Sequence, residues 1–130
     1  MEIDRYQHGC AVMKVGEKRF AVVAGGYSTQ IGGMPKVELL ELETMDQWKA
    51  GPDMPFELME FTMTTLADGA VLAVGGRSGR DFMGSLVKFS CQESIENCTW
   101  EEMEQTLAVP RKEHVALLIP DVLSNCSSVK

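Results

Sequence analysis

The sequence predicts an all-β fold made of two four-stranded antiparallel units, and a repeat is the first observation behind that prediction. A short apolar run that ends in paired glycines occurs twice, as RFAVVAGGY at residues 19–27 and as GAVLAVGGR at residues 69–77. Each run is rich in valine and too short for a helix, which is typical of a strand buried on both faces. The repeat period of about fifty residues, with strand-type segments throughout, indicates β-propeller blades of four strands.

The first predicted blade covers residues 5–55. Its strands are predicted at residues 8–13, 19–24 and 36–43, followed by a short outer strand that carries Trp48. The second strand ends at Gly25 and Gly26, because glycine adopts positive φ and lets a neighbouring backbone approach closely. Residues 27–35 are rich in Ser, Thr and Gly and predict a loop. Alternation of apolar and acidic side chains in the third strand predicts that one of its faces is exposed.

The second predicted blade covers residues 56–110 and repeats this order. Its strands are predicted at residues 58–66, 70–74 and 85–91, followed by an outer strand that carries Trp100. Gly75 and Gly76 close its second strand, and the residues after them form the next loop. A surplus apolar segment predicts the first strand of a further, shared blade at residues 113–119, within residues 111–120. Residues 121–130 remain as a tail.

Four signals recur along the chain: the strand that closes in Gly-Gly, the Trp of the outer strand, a following Pro, and an Arg-x-x-His phrase that opens the next strand. This phrase occurs at residues 5–8 and again at residues 111–114. In the second unit, Glu57 and Glu60 are aligned with its Arg and His. Together these residues resemble the kelch repeat over about residues 5–120. The resemblance implies a kelch-type β-propeller.

Two blades do not close a ring, because closed propellers hold about four to eight blades. The outer faces of an isolated pair would expose apolar surface large enough to drive association. The surplus strand favours a carboxy-terminal part of a larger propeller, in which one blade is shared between the two ends of a longer chain. The alternative is a self-assembling structural propeller built from several copies.

Several residues are assigned structural roles. Trp48 and Trp100 are expected to fill the widening gap between blades at the outer rim. His8 and His114 lie at strand starts without clustered partners, so we interpret them as structural residues rather than as metal ligands or bases. No spacing of Cys and His suggests zinc, and no cofactor is expected.

The charge and the cysteines bear on partners and compartment. A net charge of −7 opposes binding to nucleic acid or to a membrane surface. The sequence has no apolar run long enough to span a membrane, and its start lacks the features of a signal peptide, which favours a cytoplasmic location. A secreted protein is the alternative. Cys91 and Cys98 could form a disulfide across a hairpin, and Asn97 and Asn125 lie in Asn-x-Ser/Thr triplets.

The resemblance implies a non-catalytic platform for a protein partner, as in kelch propellers that hold substrates for ubiquitin ligases or bind actin. Loops on a rigid scaffold are the usual place of binding. The candidate binding residues are Tyr27, Ser28, Arg77, Ser78, Arg80, Asp81 and Phe82. Arg77 and Arg80 are expected to pair with an acidic motif, with Tyr27 and Phe82 as aromatic anchors.

An enzyme is the competing class, because oxidases related to galactose oxidase use kelch-type blades. A copper or radical site of that kind needs clustered Tyr, His and Cys. Tyr6, Tyr27, His8 and His114 are scattered through the sequence. No nucleophile, phosphate-loop or paired-carboxylate motif accompanies them. The sequence therefore predicts a binding module and leaves the identity of its partner open.

Overall fold

The computed structural model describes residues 1–119, and this part of the chain contains twelve strands and no helix. The prediction of an all-β fold is confirmed. The first sheet is formed by β1 (Gly9–Val15), β2 (Lys18–Ala24), β5 (Val37–Glu41) and β6 (Lys49–Ala50). These strands lie side by side in that order, and every neighbouring pair is antiparallel. Between β2 and β5 the chain makes a short hairpin of β3 (Tyr27–Ser28) and β4 (Gly32–Gly33).

The second sheet repeats this arrangement. It is formed by β7 (Thr62–Thr65), β8 (Val71–Val74), β11 (Ser85–Cys91) and β12 (Cys98–Thr106), again side by side and antiparallel. A second short hairpin, β9 (Arg77–Ser78) with β10 (Asp81–Phe82), lies between β8 and β11. The two four-stranded antiparallel sheets agree with the prediction from the repeat.

The two sheets share one apolar core. Met13 from the first sheet and Val71 and Phe89 from the second have no exposed surface and belong to one packed cluster. At the edge where β1 lies beside β7, the N–H of Lys14 donates to the carbonyl of Gly69 over 2.9 Å. Truncation of a buried aromatic side chain such as Phe89 costs about 3–5 kcal/mol. Each sheet therefore depends on the other for its stability.

The two tryptophans differ in their contacts and in their positions relative to the strands. Trp100 on β12 stacks on Phe89 with ring centroids 4.6 Å apart, and its Nε1–H donates to the carbonyl of Pro52 over 3.0 Å. It thereby joins the last strand of the second sheet to the chain that leaves the first. Trp48 is half-buried and precedes β6 instead of lying within it. The last strand of the first sheet is two residues long, whereas β12 has nine.

Residues 113–119, predicted to be the first strand of a further, shared blade, form no strand within residues 1–119. A strand exists through its ladder of hydrogen bonds to a neighbour. Within residues 1–119 no second strand lies beside this segment. The strand predicted at residues 58–66 is likewise limited to Thr62–Thr65. The predicted tail, residues 121–130, lies outside the described residues.

A disulfide joins Cys91 to Cys98 across the hairpin of β11 and β12, where the two cysteines are direct partners in the strand register. In the chain-entropy model, a cross-link that closes so short a loop stabilises the fold by about 2.5 kcal/mol. Cys10 is a free thiol and is exposed. The disulfide therefore holds the two longest neighbouring strands of the second sheet together at their turn.

The paired glycines lie where backbone segments crowd together. Gly26 has a φ of +92° and Gly76 a φ of +95°. A Cβ on Gly26 would lie 2.7 Å from the carbonyl oxygen of Tyr6, and one on Gly76 would lie 2.7 Å from the carbonyl oxygen of Met59. Any side chain at either position would therefore have to displace backbone.

We expect Gly26→Ala to lower the free energy of unfolding by about 3 kcal/mol or more, because it combines positive φ with a clash against backbone. Gly32 is the matched control, since it has a φ of +91° but no atom within 4 Å of the place that a Cβ would occupy. Gly32→Ala should cost only about 1–2 kcal/mol, the penalty of positive φ for alanine. Urea denaturation measures both losses, and equal losses would show that close backbone approach does not require Gly26.

Candidate interaction surface

The two short hairpins, β3–β4 and β9–β10, meet the segments that lead into the sheets at one end of the two sheets, which we call the loop end. The chain approaches the two sheets through residues 5–8 and residues 58–61. Residues 111–114 repeat the bonding of residues 58–61. We call these three stretches the entry segments. Tyr6 and Tyr27 pair through two backbone hydrogen bonds of 3.0 and 2.9 Å. Met59 and Arg77 pair in the same way, through bonds of 3.0 and 2.8 Å. Each short hairpin is thus fixed to the entry segment of its own sheet.

Each sheet is also bonded to the entry segment that follows it. The N–H of Gly26 donates to the carbonyl of Leu58 over 2.8 Å. The N–H of Glu60 donates to the carbonyl of Gln7 over 2.9 Å. These two bonds join the second entry segment to the first sheet and to the first entry segment, and we call them the junction.

The same junction recurs one repeat later. The N–H of Gly76 donates to the carbonyl of Arg111 over 2.7 Å, and the N–H of Glu113 donates to the carbonyl of Glu60 over 3.0 Å. The residues at the left-handed position of the three entry segments have φ values from +53° to +57° and are Gln7, Glu60 and Glu113. The third entry segment therefore meets the second sheet as the second entry segment meets the first sheet.

These bonds also correct the alignment of the Arg-x-x-His phrase in the second unit. Leu58 and Phe61, not Glu57 and Glu60, hold the places of the Arg and His, because Met59 is the residue that pairs with its hairpin. The alignment from sequence is therefore shifted by one residue. The second unit has apolar residues, Leu58 and Phe61, at the two places where an Arg and a His mark the register in the other units.

Glu60 is the centre of a charged cluster on this surface. Its Oε2 lies 2.9 Å from Nε of Arg77 and 2.8 Å from Nζ of Lys112. Its Oε1 accepts a hydrogen bond of 2.7 Å from Nε2 of Gln7. Only 6% of the Glu60 side chain is exposed. One carboxylate thus joins all three entry segments and β9, and the sequence pattern did not single out Gln7 or Lys112.

The pKa of Glu60 is lowered from its ordinary value. The hydrogen bond from Lys112 is the largest cause, and Arg77 adds to it against the opposing effect of burial. A carboxyl group whose pKa is lowered by folding stabilises the fold above its unfolded pKa, and this contribution is lost as the pH falls through the folded value. The cluster therefore contributes stability at neutral pH and not in acid.

The residues predicted to bind a partner are not equally available. Ser28 is 1% exposed, and its Oγ accepts a hydrogen bond from the N–H of Gln30. Arg77 is held by Glu60, and its Nη1 also donates to the carbonyl of Gly79 over 2.7 Å. Tyr27 and Ser78 are half-buried. Burial and internal bonding thus occupy much of the predicted set.

The tip of the β9–β10 hairpin is open to solvent. Arg80 and Asp81 are exposed, and Phe82 is 56% exposed. Nζ of Lys112 lies 5.9 Å from the centre of the Phe82 ring, within the range of a cation–π interaction. Tyr6, whose ring centroid lies 5.5 Å from that of Tyr27, is half exposed at the first hairpin. The predicted aromatic and charged groups that can reach a partner are therefore those at the hairpin tip.

The two histidines lie in equivalent entry segments and pack against sheets. Nε2 of His114 lies 3.2 Å from Oγ1 of Thr62 and 2.9 Å from the carbonyl oxygen of Val74, which ties the third entry segment to the second sheet. His8 is half-buried, and its pKa is lowered first by burial and then by the charge of Arg5. Among the described residues, no three His, Cys, Asp or Glu side chains are grouped to hold a metal ion.

Comparison with models of known protein families gives no match, and a search of curated proteins finds no significantly similar sequence. Over the part of the chain that the structure describes, there is no helix of sufficient length and apolar character to cross a membrane. The inference of function therefore depends on the repeated junction and on the chemistry of the loop end.

We expect Glu60→Gln to lower the free energy of unfolding at neutral pH by about 1–3 kcal/mol, because Arg77 and Lys112 lose their carboxylate. The difference from the unaltered protein should shrink as the pH is lowered below the ordinary Glu value of 4.5 and through the lowered pKa of Glu60. Urea denaturation at several pH values measures the free energy of unfolding of both proteins and so gives this difference.

Glu113→Gln is the matched control, because Glu113 holds the equivalent position with a side chain that is 67% exposed. Its effect should stay within about 0.5 kcal/mol. An equal loss in both variants, or a Glu60→Gln loss that does not change with pH, would contradict the role given to the cluster.

Proposed function

We propose that the chain is part of a larger kelch-type β-propeller that acts as a non-catalytic protein-interaction module. The repeated junction is the observation that carries this proposal, because the bonds between the first sheet and the second entry segment recur at Gly76 and Glu113. Repeating one junction places successive sheets around an axis. A ring of this kind needs about four to eight sheets, so further sheets complete it.

The loop end is the surface that we assign to the partner. Hairpin tips held on a rigid scaffold can present side chains without a large loss of conformational entropy on binding. Phe82 and Ile31 project from the two hairpins with 56% and 58% of their surfaces exposed. Phe82 lies two residues from Arg80 in the sequence, and aromatic side chains and arginine are enriched at protein interfaces.

The exposed arginine of this surface favours an acidic segment of a partner protein. Arg80 is the exposed cation of the second hairpin, whereas Arg77 and Lys112 are both paired with the carboxylate of Glu60. With Asp81 and Glu113 beside these cations, the region is close to neutral, whereas the chain as a whole carries a net charge of −7. Complementary charge opposite an exposed cation raises association rates and selects partners.

The disulfide bears on where such a module works. Bonds of this type persist in oxidising compartments and are rare in the cytosol. The Cys91–Cys98 bond is thus the observation that favours the secreted alternative over the cytoplasmic location predicted from the start of the sequence.

The solution mass of the purified chain tests the proposal that further sheets are needed. We expect light scattering to show heterogeneous, concentration-dependent association, because sheet surface meant for a neighbour is left uncovered. A discrete trimer or tetramer would instead make a self-assembled structural propeller the correct description.

Binding by the loop end is tested with a double variant, Arg80→Ala with Phe82→Ala. We expect the amount of the principal protein captured from an extract by the immobilised chain to fall about tenfold or more, as for loss of a hot spot. Arg19→Ala is the control, because Arg19 is an exposed arginine on β2 whose ion pair with Glu43 lies outside the loop end. Capture that is unchanged, or that falls equally in the control, would contradict the assignment.

A further inference from the structure

Arg5 is buried in the first sheet together with a carboxylate. Its Nη2 lies 2.6 Å from Oε2 of Glu38, and its Nη1 donates to the carbonyls of Gly25 and Lys36 over 3.0 and 2.8 Å. The Arg5 side chain has no exposed surface, and that of Glu38 is 6% exposed. Removing one partner of a buried ion pair leaves an uncompensated charge and is strongly destabilising. An arginine at this place therefore requires a carboxylate on the third strand of the sheet that it enters.

The second sheet fills the same two places with apolar side chains. Leu58 holds the place of Arg5, one residue before the entry-segment residue that pairs with the hairpin. Val87 holds the place of Glu38. Glu38 lies two residues after Lys36, whose carbonyl accepts from the N–H of Gly25. Val87 lies two residues after Ser85, whose carbonyl accepts from the N–H of Gly75. Leu58 is 1% exposed and Val87 has no exposed surface. The two places thus match within each sheet, charged with charged and apolar with apolar.

Arg111 holds this place in the third entry segment, since Gly76 donates to its carbonyl as Gly26 donates to that of Leu58. Its side chain is exposed, and its Nε reaches the carbonyl of Val109 at 3.3 Å. Within residues 1–119 it pairs with no carboxylate. We infer that residues 111–119 form the docking site of a third four-stranded sheet, whose third strand presents to Arg111 a carboxylate equivalent to Glu38.

The residues after Arg111 fit the same docking site. His114 is already bonded to the second sheet through Thr62 and Val74. Val115 and Leu117 are 81% and 78% exposed. In the first sheet, the corresponding strand β1 is paired along its whole length with β2. An extended apolar segment without such a neighbour is a template for strand addition.

The occupant is a further sheet of the same repeat. Its junction with the second sheet is formed on one side already, so docking continues an interface that exists within the chain. Charge complementarity adds the requirement for a carboxylate opposite Arg111. This inference depends on the proposed ring of sheets and specifies one residue that the next sheet must carry.

The test uses the complete chain with residues 16–56 of its own sequence appended after Lys130 through a Gly/Ser linker. The appended segment carries counterparts of β2, β5, β6 and Glu38 but none of Arg5, so Arg111 is the arginine available to it. Tethering keeps its effective concentration high. We expect hydrogen exchange of the amides at residues 115–119 to slow about tenfold or more relative to the chain without the addition.

Two variants isolate the ion pair. Glu38→Gln in the appended copy alone should abolish most of the slowing. Arg111→Met should lower the melting temperature of the extended chain and leave that of the original chain unchanged, because Arg111 is exposed there. Arg80→Met is the matched control, since Arg80 is also an exposed arginine and should be neutral in both chains.

Slowing that persists with Gln in the appended copy would overturn the required carboxylate while leaving the proposed ring intact. Absence of slowing in every version would overturn the docking site itself. Exchange that is already slow in the original chain, together with a dimeric mass, would make a second copy the occupant and also overturn the inference. Failure of the ring proposal would be detected separately, as a discrete trimer or tetramer in the light-scattering experiment.

Discussion

Close contact of backbones at the paired glycines is the constraint on which the rest of the structure depends. Gly26 faces the carbonyl of Tyr6 in its own entry segment, while its N–H bonds to Leu58 in the next one. A single residue without a side chain therefore holds three segments together. The chain leaves β2 and β8 at these glycines with positive φ, and each short hairpin that follows is paired with an entry segment. The candidate interaction surface is a consequence of that pairing.

The buried places beside this junction show two solutions to one packing problem. The first sheet uses Arg5 with Glu38, and the second uses Leu58 with Val87. Replacement of a buried ion pair by well-packed apolar residues is commonly neutral or stabilising, so the apolar pair needs no compensation. The charged pair is more demanding, because neither member is tolerated alone. An arginine in an entry segment therefore accepts only a sheet that carries the matching carboxylate. An apolar residue at the same place is less selective.

Charge at the loop end has a different effect, because it is partly solvated. Glu60 draws Arg77 and Lys112 inward and so removes them in part from any partner. Arg80 and Phe82 in the second hairpin remain exposed to solvent. The same cluster that stabilises the three entry segments thus decides which side chains of this surface are left for recognition.

The sequence by itself predicted the positions of most strands of the two four-stranded sheets, because these depend on local patterns. The segment predicted at residues 85–91 is β11, Ser85–Cys91, and the paired glycines end β2 and β8 as expected. Only the tertiary structure decided the register of the second entry segment, the burial of Ser28, the bonding of Arg77 to Glu60 and the unpaired state of residues 113–119. Each of these depends on which groups approach from distant parts of the chain, or on whether a neighbouring strand is present to accept hydrogen bonds. Periodicity and composition describe a segment and its faces, but they do not specify the partner that it meets.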